Sequence, residues 1–326
     1  MRTKAVYVVV SGEADVYFEQ AWVSAWSLKH YNPEMEVECV VDPDTYDQVM
    51  ESYRREALSV IDRLVRVEVP AQFGKKERSR WLKTSLRRHV SGDFLFIDTD
   101  TVVCDSLKEV DSLLGDVRMV RDHHCLLSES FEGKYIVREL MAMTGKPFEE
   151  DVYYNTGVIF SRDTRVGYMF FEKWHENWKK YLKQGIANDQ PSLAVTNHAQ
   201  HVVLDLDDVY NCQIRFSLRY FYKARILHFF NNSQTLNLPH PFYNEELYRK
   251  VKQAQGLSDE VQKVVLECKS QFYLKTFVLG GEECAMRDEY PAILLRELKV
   301  YHVLLYRMCC FFSRLLLCFL LLLRRK

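Results

Sequence analysis

The sequence has no Cys-x-x-Cys pair, and its nine cysteines are odd in number. That excludes a secreted disulfide framework and a structural zinc site of the usual spacing, and it makes a reducing cytosol the simplest home. Charge of one sign is also missing. The 44 basic and 45 acidic side chains nearly cancel, so no global positive field gathers nucleic acid, and such a partner is not expected. The eight prolines are scattered, and no repeat, low-complexity tract or proline-rich linker interrupts residues 1–280. At the start, Met1-Arg2-Thr3-Lys4 leads straight into Ala5–Val10, too short a run for a signal-peptide core, and that run reads as a first strand.

What is present is an ordinary globular composition, 48% hydrophobic and 27% charged, over 326 residues, which suffices for a sizeable core. Short β-branched or apolar runs at Ala5–Val10, Val37–Val41, Val65–Val69 and Phe94–Ile97 alternate with longer helical stretches. This is the pattern of βαβ units and a mostly parallel sheet flanked by helices, an α/β class. Tyr17, Ala21, Ala25, Leu28 and Tyr31 share one face of a helix that ends before Asn32-Pro33.

The composition shifts at the end, where residues 286–326 carry eight Lys or Arg against three Asp or Glu. The uninterrupted apolar run Leu315–Leu323 has nine residues, about half of what spans a bilayer. Arg307 and Arg314, seven apart, share a helical face, which suits a helix lying in the membrane interface. A membrane span with snorkelling arginines and a buried or oligomer-forming helix remain alternatives. The expected organisation is one α/β domain over 1–235, a helical extension over 236–300 and a basic, leucine-rich membrane-associating helix over 301–326.

Chemistry concentrates in Asp98-Thr99-Asp100, which follows the apolar strand Phe94-Leu95-Phe96-Ile97. Two carboxylates one residue apart at the carboxyl end of a strand repel unless a proton or cation sits between them, and a hard divalent ion with room for phosphate oxygens meets that demand. An Asp-x-Asp pair alone equally marks turns and helix caps.

Together with its strand, the motif resembles the DxD motif of GT-A glycosyltransferases, and further segments resemble family 8, the group of glycogenin and bacterial lipopolysaccharide galactosyltransferases. In that family's order stand Tyr154-Asn155-Thr156-Gly157-Val158-Ile159-Phe160, then Asn188-Asp189-Gln190, then Leu206–Asn211, then Ile226-Leu227-His228-Phe229. The resemblance covers roughly residues 5–232. It implies a GT-A fold, a single Rossmann-like domain, and a metal-dependent, retaining transfer of a hexose from a UDP-sugar to a glycan or glycolipid acceptor, which the basic, leucine-rich tail narrows to a lipid-linked or lipopolysaccharide type.

It also implies residue roles. Asp98, Asp100 and His228 would hold Mn²⁺ or Mg²⁺, the imidazole favouring manganese. Asn155 and Gln190 would bind sugar hydroxyls, with Asp189 beside the reacting face; Asp189 and Gln190 are the catalytic candidates. Lys83, Asp122, Asp15 and Tyr17 would contact the donor, the last two at its base and ribose. Set against these are bland roles: Asp189 as a helix cap, Lys83 as part of a solvated basic face with Arg80, Arg87 and Arg88, and Tyr17 as the start of an apolar helix face. His123-His124-Cys125 is a weak second metal candidate. One departure stands out, because the family's glycine and lysine after the histidine are replaced by Phe229-Phe230-Asn231-Asn232, which leaves Lys223 or Arg225 to supply charge. That departure keeps a catalytically degenerate, membrane-attached binding protein in view. A haloacid dehalogenase-type phosphatase, with Asp98 as nucleophile, Asp100 as acid and Asp207-Asp208 as further carboxylates, is the other alternative. The expected location is cytoplasmic, peripheral on the inner face of the membrane.

Overall fold

The computed structural model describes residues 1–130, 132–214, 216, 220–230, 241–242, 245–269, 276–279, 283–286, 294, 298 and 301–323. The chain divides into two compact units, Met1–Lys269 and Ser270–Lys326.

In the first unit the chain runs β1 (Lys4–Val9), α1 (Tyr17–Tyr31), β2 (Val37–Val41), α2 (Pro43–Glu51), β3 (Arg63–Arg66), α3 (Lys75–Thr84), β4 (Phe94–Ile97), β5 (Thr101–Val103) and β6 (Val117–Arg121). It continues through α4 (Gly133–Thr144), β7 (Tyr154–Ser161), α5 (Arg165–Leu182), α6 (Asp189–Gln200), β8 (Val203–Asp205), β9 (Cys212–Gln213), β10 (Ile226–His228), α7 (Glu246–Ala254) and α8 (Asp259–Leu266). Seven strands form one sheet in the order β3-β2-β1-β4-β7-β6-β8. All neighbours pair in parallel except β7, which runs against both β4 and β6. The central strands β1, β2, β4 and β7 are buried almost throughout, as their continuous Val, Ile, Leu and Phe runs require.

From β1 the chain winds outward to β2 and β3, then returns to place β4 on the other side of β1. The crevice outside the carboxyl ends of β1 and β4 is therefore a topological switch point, where open α/β sheets bind ligands. A second, small sheet, β5-β10-β9, sits beyond it, with β10 antiparallel to β5 and parallel to β9.

Two local expectations shift. The third strand is Arg63–Arg66, not Val65–Val69: its pairing with β2 runs from Glu38↔Arg63 to Val41↔Arg66, and the chain then turns away toward Pro70, which has no N–H to offer a ladder. Helix α1 is buried nearly all round, not along one apolar stripe. Ser24 Oγ lies 3.0 Å from Tyr7 Oη on the large sheet and 2.8 Å from Thr101 Oγ1 on the small one. Tyr17, expected on the apolar face, is 42% exposed.

The expected boundary at 235 falls inside the first unit. Helices α7 and α8 pack on α1, and Lys252 of α7 donates to the Glu13 and Asp15 carbonyls of the β1–α1 loop. In the second unit, the stretch expected to be helical contains an antiparallel hairpin, β11 (Thr276–Leu279) and β12 (Glu283–Met286). It is followed by α9 (Val303–Leu323), whose window Val303–Leu320 is long and apolar enough to cross a membrane by length and composition.

Candidate functional site

A cavity of about 730 Å³ opens at the switch point, lined by the ends of β1 and β4, by α1, α3 and α4, by the start of β7, by the first turn of α6 and by the end of β10. The local folding of Asp98–Thr101 explains why acidic groups gather there. The Asp98 N–H donates to the Gly157 carbonyl at 2.8 Å, and the Thr101 hydroxyl donates back to the Asp98 carbonyl at 2.8 Å, so the chain turns sharply from the large sheet into the small one. There the pairing His228↔Thr101 and a bond from the Phe229 N–H to the Asp100 carbonyl bring the imidazole beside the carboxylates. Ligand atoms of Asp98, Asp100 and His228 all lie within 4.8 Å of one another, the one such group found among the described residues.

The donor set is directed as well as close. Asn155 Nδ2 donates to the Asp122 carboxylate at 2.8 Å, which leaves Asn155 Oδ1 to accept from Asn211 Nδ2 at 2.8 Å and from the Gly157 N–H at 2.9 Å. Asn211 then presents its oxygen to His228 Nδ1 at 2.9 Å, so Nδ1 carries the proton and donates. His228 Nε2 is left with its lone pair 3.2 Å from Asp100 Oδ1. A lone pair facing a carboxylate oxygen needs a positive charge between them, which is the fit a metal ligand requires. Burial pushes the Asp98 carboxyl's pKa up, Lys83 pulls it back and the Asp100 charge adds to the rise. Gly157 permits the arrangement, because a Cβ there would lie 2.3 Å from His228 Cε1.

Above the carboxylates stand two cations. Lys83, 2% exposed, reaches Asp98 Oδ1 at 3.1 Å, Thr156 Oγ1 at 3.3 Å and Asp189 Oδ2 at 3.4 Å, so it is no part of a solvated face. Arg80, one helical turn earlier on α3, pairs with Asp189 Oδ1 at 2.8 Å. Asp189 is thus the first residue of α6, held by ion pairs, and Asn188 occupies the cap position. Burial alone would raise the Asp189 pKa, but Lys83 and Arg80 outweigh it and hold the carboxyl at about 2. The loop carrying Asp189 is pinned from α5, where the Trp174 and Trp178 indoles donate to the Asp189 and Ala187 carbonyls at 3.0 and 3.1 Å.

Of the other expected residues, Tyr17, Lys83, Asp122, Asn155, Asp189 and Gln190 line the cavity. Asn155, expected to face sugar hydroxyls, uses its amide mainly to orient Asn211 and Asp122. Asp15 is not in the lining; its carboxylate is taken up by Ser11 Oγ at 2.5 Å, the Gly12 N–H at 2.9 Å and Lys75 Nζ at 2.6 Å. Among the described residues His123-His124 join no metal-ligand cluster: His124 bonds Asp208 at 2.6 Å and accepts from the Gln213 N–H, while His123 stacks on Phe216 at 3.7 Å. That pairing removes Asp208 from any phosphatase role, and Asp207 caps a 3-10 turn by accepting from the Val209 N–H. Arg225 is bound to Glu109 at 2.7 Å and Lys223 is exposed, and neither lines the cavity. Cationic lining comes instead from Lys75, Lys76, Arg80 and Lys83. Arg80 was legible only as a basic neighbour of Lys83; its spacing of three on the same helix face was the available signal. Two residues after the histidine, Phe230 sits at φ +55° with its ring stacked on His228 at 4.0 Å.

The sheet order, the reversed β7 and the placement of the Asp-x-Asp turn make this a GT-A glycosyltransferase fold. It is similar to that of a bifunctional glycosyltransferase, WbbM, in its apo structure, at TM-score 0.50 and 16% identity over 80% of this chain and 51% of that one. The galactosyltransferase LgtC in complex with donor and acceptor sugar analogs gives TM-score 0.48 at 14% identity, covering 80% and 99% of the two chains. Mouse xyloside xylosyltransferase 1 in its apo form gives 0.46 at 12%, covering 69% and 97%. No family model and no curated protein matches the chain.

Proposed function

We propose that the protein is a metal-dependent glycosyltransferase that moves a hexose from a UDP-sugar to a glycan acceptor hydroxyl with retention of configuration. The observation that carries this reading is the Asp98, Asp100 and His228 cluster with His228 Nε2 turned toward Asp100, at the switch point of a GT-A sheet. These three residues would hold Mn²⁺ or Mg²⁺, with the imidazole favouring manganese. Bound there, the ion neutralises the departing nucleoside diphosphate.

The chain's own groups supply the rest. Lys75, Lys76, Arg80 and Lys83 give one wall a positive field for the diphosphate. Tyr17, exposed at the mouth, offers a ring for the base. The Gln190 side chain lines the cavity without a hydrogen bond to any described residue, so its amide is available to sugar hydroxyls. Asp189, held ionised between two cations, is a weak nucleophile, which favours attack from the leaving-group face over a covalent intermediate. Phe230 beside His228 does not remove any of these groups from the cavity. The length and apolar composition of α9 support a lipid-linked or lipopolysaccharide-type glycan as acceptor, met at the cytoplasmic face of a membrane.

The test is UDP release from a panel of UDP-sugars with Mn²⁺, Mg²⁺ or chelator. Slow, metal-dependent hydrolysis of one donor is expected, lowered by roughly a hundredfold or more in Asp100→Asn. Turnover that ignores both chelator and substitution contradicts the reading.

A further inference from the structure

The cavity is divided by charge. Its β1, α1 and α3 side carries all the lining Lys and Arg, namely Lys75, Lys76, Arg80 and Lys83, the last two paired with Asp98 and Asp189, whereas the lining from the segment after β6, from α4 and from β7 carries Asp122, Glu132 and Glu139 with no Lys or Arg. Glu132, Ile136 and Glu139 are spaced four and three apart, so one face of α4, beginning at its cap, is turned to the cavity while Lys134 and Arg138 lie off it. His123 Nε2 stands 3.7 Å from both Asp122 and Glu132 and, when protonated, offsets part of their charge; Glu139 has no such partner in the described ion pairs.

Beneath this wall lies Tyr153, a cavity-lining residue 6% exposed whose hydroxyl makes no hydrogen bond to the described residues. A hydroxyl that has no protein partner, on a residue that lines a ligand cavity, is open to a ligand. Burial raises the Tyr153 pKa well above the usual phenol value, and the charges of Asp122, Glu139 and Asp189 raise it further, so the group keeps its proton and can donate.

We infer that this wall is the acceptor half of the cavity, that Tyr153 and Glu139 bind the acceptor's hydroxyls, and that Glu132 and Glu139 restrict the acceptor sugar to neutral or cationic rings, excluding uronic acids and sugar phosphates. The inference rests on the transferase reading and adds the charge class of the acceptor. A diphosphate is repelled by the same wall, which keeps the donor on the basic side. The apolar Ile136 side chain between the two glutamates gives the non-polar face of a pyranose a surface to cover.

The test uses the full-length protein with Mg²⁺ and UDP and follows sugar binding by saturation-transfer NMR. The probes are sets of three methyl glycosides, galacto and gluco, each set comprising the neutral hexoside, its 2-amino-2-deoxy analogue and its uronate. Neutral and amino members are expected to bind at least about tenfold tighter than the uronate. The doubly substituted Glu132→Gln, Glu139→Gln protein narrows that gap toward unity, and Tyr153→Phe weakens the neutral member about five- to tenfold relative to UDP in the same sample. Thermal melting checks that each variant is folded. Uronates that bind the wild type as well as their neutral partners overturn the inference, as does failure of every neutral and amino member to bind. If UDP itself does not bind, the donor reading fails separately, and the sugar comparisons are then read on the protein without UDP.

Discussion

Gly157 is the residue on which the donor set turns. Its missing side chain lets strand β7 pass within contact of the imidazole, and its N–H and carbonyl hold Asn155 and Asp98. Gly157→Ala would place a carbon 2.3 Å from His228 Cε1 and 2.7 Å from Nδ1, forcing the ring away from Asn211. Mn²⁺ affinity is expected to fall at least about tenfold, with roughly 1–3 kcal/mol lost from stability. Calorimetric titration and denaturant unfolding measure the two effects separately; an unchanged Mn²⁺ affinity would contradict the role given to His228. At this scale the sequence was legible where a motif sits on one element. Asp98 and Asp100 follow directly from a strand ending in Asp-x-Asp. Arg80 and Tyr153 were missed, because each gains its meaning from a partner wall that only the fold supplies.

At the scale of elements, the cavity's basic wall depends on how α3 is seated on α5. The seat is buried and includes His175, whose Nδ1 lies 2.8 Å from Thr84 Oγ1 and whose ring packs on Trp81. Burial pushes the His175 pKa down to about 3, with Lys179 and Arg88 adding to the fall. The unfolded chain therefore takes up this proton near the ordinary histidine value of 6.5, while the folded chain resists it until about pH 3. Stability from this residue is full above pH 6.5 and is lost progressively as pH falls toward 3. Urea midpoints of wild type are expected to drop across that window by more than those of His175→Gln, whose amide keeps a bond to Thr84 without taking a charge. Parallel profiles would show that His175 is not buried neutral. The sequence made strands β2 and β4 and helix α1 readable to the residue, since period and punctuation agree there. It misplaced β3, where the ladder with β2 decides the register and exposed arginines carry no apolar signal.

For the whole molecule, the winding of strands about β1 is what gathers segments from residues 8 to 230 into one cavity. That order was legible only as alternation of strands and helices, together with the sequence of motifs. The boundary expected at 235 failed to anticipate that α7 and α8 close on α1, since those helices carry no composition break. In the second unit, α9 is long and apolar enough to cross a membrane by length and composition, with Arg307 and Arg314 seven residues apart along it. Full-length protein is expected to sediment with vesicles containing anionic lipid and to be released by about 1 M salt, which shortens the screening length to roughly 3 Å. Arg307→Glu with Arg314→Glu should abolish that sedimentation. Retention in high salt would instead assign α9 as a span.

The central claim is that Asp98, Asp100 and His228 form a metal site that serves a nucleoside diphosphate. Its most direct test is Mn²⁺ binding followed by electron paramagnetic resonance, with and without UDP, in wild type, Asp100→Asn and His228→Gln. The account predicts Mn²⁺ binding that tightens when UDP is present and weakens at least about tenfold in either variant. Wild-type protein that binds no Mn²⁺ even with UDP, or variants that bind it as the wild type does, would contradict the claim.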